Sequence, residues 1–88
     1  MWASPEDQRK IGKRLAAIRL AANVTQEAIA AALGKPQSFV SSLENGQRRL
    51  DLIEFLRITE VLKVDAVEVF ADIAEEVTGK MSRRRKSP

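Results

Sequence analysis

Amide and hydroxyl side chains after Pro36 are the residues of this sequence best suited to a specific chemistry. On a helix that turns ~100° per residue they fill an arc of roughly 140°: Gln37, Ser38, Ser41, Ser42 and Asn45. The opposite sector of the helix is apolar. The arc carries no charge, whereas a solvated helix face is usually rich in Glu and Lys. Short hydrogen-bonding side chains on a helix suit contact with base edges in the major groove of DNA. The alternative is an ordinary polar surface helix.

Two short helices joined by a turn are predicted to position these residues. Thr25 is a good N-cap for a helix over about 26–33, and Gly34 suits the left-handed residue that ends it. Pro36 fits the first turn of the next helix, because its fixed φ is helical and its missing N–H would be unpaired there. Three apolar residues of that helix then face inward: Phe39, Val40 and Leu43.

Three further helices are expected around this pair, over about 5–22, 52–62 and 66–78. Ser4, Asp51 and Asp65 are the predicted N-caps, and Asp65 with Glu68 forms a capping-box-like start. Apolar residues recur at helical spacing on each. Those of the first helix are expected to pack inward: Ile11, Leu15, Ile18 and Ala22. The core candidates of the next are Leu52, Phe55, Leu56, Ile58 and Leu62, and the last carries Phe70, Ile73, Ala74 and Val77. The predicted fold class is all-α with five helices.

Composition narrows the possible functions. The 88 residues are 44% hydrophobic, which predicts one domain, over 1–78, and no second core. The sequence has no Cys and no His, so disulfides, thiolate metal sites and histidine catalysis are excluded. We expect no enzyme activity, no cofactor, no metal and no small-molecule ligand. No apolar run approaches the length of a membrane span, and the expected location is cytoplasmic.

Charge is segregated along the chain. Residues 1–50 carry eight Lys/Arg and four Asp/Glu, a net +4; residues 51–77 carry two and eight, a net −6; residues 78–88 carry five and none, a net +5. A basic front and an acidic back indicate that one side of the molecule meets a polyanion; the alternative is chance segregation. The basic segment 79–88 is predicted to be a disordered tail, because its SRRRKSP end has no apolar residue.

The two-helix unit resembles the helix-turn-helix of the lambdoid-phage repressor and Cro family, also called the xenobiotic-response-element (XRE) family. The resemblance lies in Q-E-x-x-A-x-x-L-G from Gln26, a Q-S start at Gln37 and an L-E-N-G end at Gly46, and it extends from about 11 to 70. Asn23 and Lys63 depart from it, since the family commonly has Gly at these helix ends. The resemblance implies a lambda-repressor-like five-helix DNA-binding domain with the helix-turn-helix at helices 2 and 3.

The resemblance also implies roles for single residues. Arg19 and Glu44 match positions that form a structural ion pair, and Gln26 matches the residue that holds a phosphate and braces the base-reading amide. Gln37 matches a base reader, and its amide suits N7 and N6 of adenine; Ser38, Ser41 and Ser42 are expected beside it. Five residues are assigned to the DNA backbone: Gln26, Lys35, Asn45, Arg48 and Arg49.

Sequence-specific binding of double-stranded DNA is therefore the predicted function, as a small transcriptional regulator and repressor at an inverted-repeat operator. An operator with two-fold symmetry requires a protein with two-fold symmetry. We therefore expect a homodimer through the last helix, with Phe70, Ile73 and Val77 at the interface. The alternative for those residues is that they only close the monomer core. The alternative function is a protein-interaction module with the same fold, such as an antitoxin or a bridging factor.

Overall fold

The computed structural model describes residues 4–79, which form five helices and no strand. The helices are α1 (Pro5–Ala21), α2 (Gln26–Leu33), α3 (Gln37–Glu44), α4 (Leu52–Leu62) and α5 (Ala66–Thr78). This arrangement confirms the predicted all-α, five-helix fold. No helix in the described part of the chain is long and apolar enough to span a bilayer. The predicted disordered tail, apart from Gly79, lies outside the described residues.

Side-chain caps fix where most of the helices begin. Ser4 Oγ accepts from the Asp7 N–H at 3.1 Å, and Thr25 Oγ1 accepts from the Ala28 N–H at 3.0 Å. At α4 the cap is reciprocal: Asp51 accepts from the Glu54 N–H at 2.7 Å, while the Glu54 carboxylate accepts from the Asp51 N–H at 3.1 Å. Each bond satisfies a backbone donor that the first helical turn leaves unpaired.

Three helix ends and one helix start can be compared with the sequence predictions. Gly34 ends α2 in the left-handed conformation, as predicted, and Asn23 and Lys63 adopt it too, with φ of 60° and 58°. Pro36 was expected inside the first turn of α3, but it is the N-cap, in an extended conformation with ψ of 158°. The prediction was wrong by one residue, because a proline φ is equally compatible with an extended N-cap.

Two groups of buried side chains hold the helices together. The first joins α2, α3 and α4: Ile29, Ala30, Phe39, Val40, Leu43, Ile58 and Leu62. The second joins α1, α4 and α5: Leu15, Phe55, Val69 and Ile73. Ile18, Leu50 and Val64 pack against both groups, so the two form one continuous core.

The structure corrects two expected core positions. Leu52 and Leu56 were predicted in the core, but 65% and 42% of their surfaces are exposed. Ile73, predicted at a subunit interface with closure of the monomer core as the alternative, is 9% exposed and packs with Leu15 and Phe55 inside the monomer. Helical periodicity groups residues on a face, but it does not show which neighbouring helix covers that face.

Candidate nucleic-acid interface

The outer face of α3 presents short polar side chains above a buried apolar face. Gln37, Ser38 and Asn45 are exposed, and Ser41 and Ser42 are half-buried. Phe39, Val40 and Leu43 on the opposite side are buried against α2 and α4. Packing of the apolar face fixes the rotation of α3 about its own axis, so the polar arc is held outward as a defined surface.

Gln37 does not project freely from this surface, because a second amide holds it. Its Nε2 donates to Gln26 Oε1 at 2.7 Å, across the turn between α2 and α3. Gln26 Nε2 in turn donates to Glu44 Oε1 at 2.8 Å, at the far end of α3. The predicted reader and the residue predicted to brace it are therefore in direct contact. The bond from Gln26 to Glu44 was not anticipated, and no local pattern in the sequence indicates it.

Glu44 is itself held by Arg19 of α1. Arg19 Nε donates to Glu44 Oε2 at 2.6 Å, and Nη2 donates to Oε1 at 3.1 Å, a two-point contact typical of strong Arg–carboxylate pairs. The third guanidinium nitrogen, Nη1, donates to the Val24 carbonyl at 2.9 Å. The two side chains are only 12% and 8% exposed. The structure thus brings together the two residues expected to form an ion pair.

The environment keeps Arg19 charged. Its pKa lies above the usual value for a guanidinium, chiefly because of the hydrogen bond to Glu44, while burial acts in the opposite direction. The Coulombic attraction of Glu44 adds to the upward shift, followed by that of Glu27. Arg19 is consequently a permanent donor at the base of the hydrogen-bonded chain that leads to Gln37.

Two predicted backbone-binding cations meet on one aromatic ring. Lys35 Nζ lies 5.3 Å from the centre of the Phe39 ring, and Arg48 Cζ lies 4.5 Å from it, both within range of a cation–π interaction. Arg48 Nη2 is also 3.9 Å from Glu54 Oε2. Phe39 is in the first turn of α3, so the ring holds positive charge beside the start of the helix that carries Gln37.

The last two predicted backbone-binding residues, Asn45 and Arg49, follow α3 in the chain. Asn45 is the C-cap of α3, and Arg49 is in the loop that follows; both side chains are exposed. The predicted DNA-binding residues therefore fall on α3, on its two flanking loops and at the start of α2. The described residues contain no cluster of three or more His, Cys, Asp or Glu that would hold a metal ion.

Gly12 and Gly46 support the interface but were not identified as such from the sequence. A Cβ at position 12 would lie 2.7 Å from the backbone carbonyl carbon of Glu44, and one at position 46 would lie 2.8 Å from Cα of Arg9. Both glycines therefore permit the end of α3 to rest directly on α1. A glycine in the middle of a helix that is otherwise well formed was the available signal for Gly12.

Exposed large apolar side chains also occur on α4 and α5. Phe70 and Val67 are each 58% exposed, whereas Val77 is half-buried and packs on the second core group. We define the α4–α5 apolar set as the exposed large apolar residues of these two adjacent helices: Leu52, Ile53, Leu56, Val67 and Phe70. Of the three predicted interface residues, Phe70 alone belongs to this set.

A short helix, a turn and a second helix with an exposed polar face, carried on three supporting helices, form a helix-turn-helix domain of the kind found in DNA-binding transcriptional regulators. The helix-turn-helix family model matches residues 15–69. The chain belongs to the Cro/C1-type, or XRE, family of helix-turn-helix proteins, and the resemblance noted in the sequence is confirmed.

Known relatives extend over most of the chain. The uncharacterized HTH-type transcriptional regulator y4dJ of Sinorhizobium fredii is 34% identical over 74 residues, which are 83% of this chain and 96% of that protein. The restriction-modification controller protein C.AhdI of Aeromonas hydrophila is 34% identical, with a TM-score of 0.67 over 74% of this chain and 98% of its own. An XRE-family like protein of Pseudomonas syringae pv. tomato is 38% identical, with a TM-score of 0.68 over 77% and 83%.

Proposed function

We propose that this protein is a repressor that binds an inverted-repeat operator in double-stranded DNA, with α3 entering the major groove N-terminus first. The observation that carries the proposal is the hydrogen-bonded chain from Arg19 through Glu44 and Gln26 to Gln37. A surface amide held in one orientation has already lost the rotational freedom that binding would otherwise cost. Such preorganisation suits the reading of a base edge.

Gln37 reads a base directly in this proposal, with help from smaller neighbours. Ser38 is exposed beside it, and the half-buried Ser41 and Ser42 permit close approach of the groove to the α3 backbone. Contacts of this kind discriminate among base pairs, because each pair presents its own pattern of donors and acceptors in the major groove. Along the rest of α3 the serines form hydrogen bonds to DNA, or are small enough not to clash with it.

The surrounding polar and basic residues bind phosphates and set the register of the protein on the duplex. Lys35 and Arg48, placed beside the start of α3 by the Phe39 ring, contact one stretch of backbone. Asn45 and Arg49 contact another, at the end of α3. Gln26 contacts a phosphate where α2 begins, and the N-terminal backbone N–H groups of α2 add to that contact.

A homodimer completes the proposal, through the α4–α5 apolar set. One helix-turn-helix reads a half-site, so an inverted repeat requires two copies related by a two-fold axis. Phe70, with 58% of its surface exposed next to the core residue Val69, is the central candidate. Burial of large apolar side chains against a second copy would remove them from water, which favours association. Ile73 and Val77 support this surface from within the monomer.

Selection of bound duplexes from a random pool tests the proposal. We expect enrichment of a single inverted repeat, whose affinity exceeds that of scrambled DNA and falls steeply with salt, since phosphate contacts release counterions. Fluorescence anisotropy of the selected and scrambled duplexes gives the ratio of affinities. Equal affinity for both would reject operator reading and favour the interaction-module alternative.

A further inference from the structure

We infer that Glu44, which is too buried to reach a base, determines base preference by fixing the direction in which the Gln37 amide points. This role rests on the proposed function, because it concerns the base that Gln37 contacts. Glu44 is a positioning residue in this scheme: its side chain is 8% exposed and acts through Gln26.

The direction follows from which groups can donate. An ionised carboxylate only accepts hydrogen bonds, so Gln26 must turn its Nε2 toward Glu44. The Gln26 amide then presents its oxygen to the other side, where it can only accept, and Gln37 must supply the N–H. The distances agree with this order: 2.8 Å from Gln26 Nε2 to Glu44 Oε1, and 2.7 Å from Gln37 Nε2 to Gln26 Oε1.

One donor and one acceptor of Gln37 remain for DNA. Its Nε2 has a second hydrogen, and its Oε1 is not used by Gln26. That pair matches adenine, which offers the N7 acceptor and the N6 donor on its major-groove edge. Guanine offers two acceptors, N7 and O6, so Oε1 would face an oxygen there. If the Gln37 amide were reversed, both its hydrogens would be available and guanine would become acceptable.

Substituting Glu44 by Gln removes the enforced direction while preserving the shape of the side chain. Arg19 offers only donors to both oxygens of position 44. An amide there therefore places an N–H against the guanidinium in either orientation, and in one of the two it also places that N–H against Gln26. Where the new N–H faces Gln26, that amide turns over and Gln37 turns with it. We expect the adenine-over-guanine preference at the base read by Gln37 to fall by at least roughly fivefold, the lower end of the discrimination of a good bidentate contact.

The experiment compares wild type with three variants on the selected operator and on operators that carry guanine for adenine at one position per half-site. Glu44→Gln reverses the Gln37 amide or leaves it free to turn. Arg19→Met is the matched control, because it breaks the same ion pair but leaves the carboxylate to orient Gln26. Gln26→Ala removes the hydrogen-bonded link between Glu44 and Gln37 and leaves the buried ion pair intact, so an unchanged adenine-to-guanine ratio in this variant overturns the role even if Glu44→Gln does not fold. Circular dichroism checks the fold of each variant.

The role is supported if Gln26→Ala, and Glu44→Gln where it folds, lower the adenine-to-guanine affinity ratio while Arg19→Met retains it. The role is overturned if the ratio survives in Gln26→Ala, or if Arg19→Met loses as much of it as Glu44→Gln does. Wild-type protein that shows no preference among duplexes would reject the proposed function together with this role. Wild-type preference that persists unchanged in the variants would reject this role alone.

Discussion

Gly12 of α1 and Glu44 of α3 touch through their backbones, with no room for a side chain at position 12. A Cβ there would lie 2.7 Å from the Glu44 carbonyl carbon and 2.5 Å from the Leu43 carbonyl oxygen. Both neighbours are main-chain atoms, so they cannot rotate aside as the end of a side chain would. This contact sets the distance from α1 to the end of α3, and Glu44 begins the hydrogen-bonded chain that ends at Gln37.

Gly12→Ala should therefore destabilise the protein, although Ala is the better helix former. We expect a loss of about 1–3 kcal/mol in the free energy of unfolding, the usual cost of an overpacked site that forces a backbone shift. Urea denaturation measures it. Gly34→Ala is the control, because nothing lies within 4 Å of a Cβ there and only its φ of +69° is unfavourable. A Gly12→Ala variant as stable as wild type would show that α1 and α3 are not in close contact.

Arg19 and Glu44 should be strongly coupled in a double-mutant cycle. Removing either partner leaves a charge buried, so Arg19→Met and Glu44→Met should each cost about 3–5 kcal/mol. The double variant should cost less than their sum, since no charge is stranded in it. Thermal melts of the four proteins give the coupling energy, and additive losses would disprove the pairing.

The same pair should give almost no pH dependence through Arg19. A raised guanidinium pKa contributes stability that is fully present below the unfolded pKa and is lost only as pH rises through the higher folded value. That window lies above the ordinary guanidinium pKa, well beyond neutral and mildly alkaline pH. Melting temperatures of wild type and Arg19→Met, taken from neutral to mildly alkaline pH, should therefore run parallel. Curves that converge across that range would contradict the assigned direction.

Gln37→Ala and Arg49→Ala should separate base reading from phosphate binding. Gln37→Ala should weaken the selected operator by about 1–3 kcal/mol and relax preference at one position per half-site. Arg49→Ala should weaken all duplexes alike and lower the slope of log K against log salt. Gln8→Ala, on α1 and not among the residues assigned to DNA, serves as a control. Should Gln37→Ala leave the ratio of operator to random affinity unchanged, the outer face of α3 would not be the reader.

Phe70→Glu should give a folded monomer. A charge at an exposed position leaves the core intact, but it opposes burial of the α4–α5 apolar set in a dimer. Leu20→Glu is a matched control, because Leu20 is 63% exposed on α1 and lies outside the set. Ile73→Glu should unfold the protein, since it places a carboxylate among Leu15, Phe55 and Val69. Sedimentation that shows Phe70→Glu as an unchanged dimer would reject the location.

Helix boundaries were predictable from sequence because local chemistry decides them. The oxygens of Thr25 and Asp51 cap their own helices through residues three positions away, and Gly34 ends α2 without any distant contact. The sequence did not predict which residues of a helix are buried by its neighbouring helices. Leu56 and Phe55 are adjacent in sequence, yet one is 42% exposed and the other 6%, because the packing of α5 on α4 covers only one of them.

In the candidate site, too, some features were predictable from the sequence and others depend on tertiary contacts. The polar arc of α3 follows from periodicity, and the approach of Gln26 to Gln37 follows from the resemblance to a known family. The bond from Gln26 to Glu44 and the contact of Arg48 with the Phe39 ring depend on how separate elements pack together, such as the loop that carries Arg48 against the start of α3. No local spacing encodes them.

The division of α3 into a buried and an exposed face also bears on how its descendants can diverge. Phe39, Val40 and Leu43 hold the helix in the core, while Ser38 and Ser41 lie on the opposite face. In the proposed complex, substitutions at such serines would alter operator choice without destabilising the core. Gln37 is more constrained, because a new residue there must also suit the amide of Gln26. New binding specificities in this lineage should therefore arise first at the serines and only later at Gln37, in step with changes at Gln26.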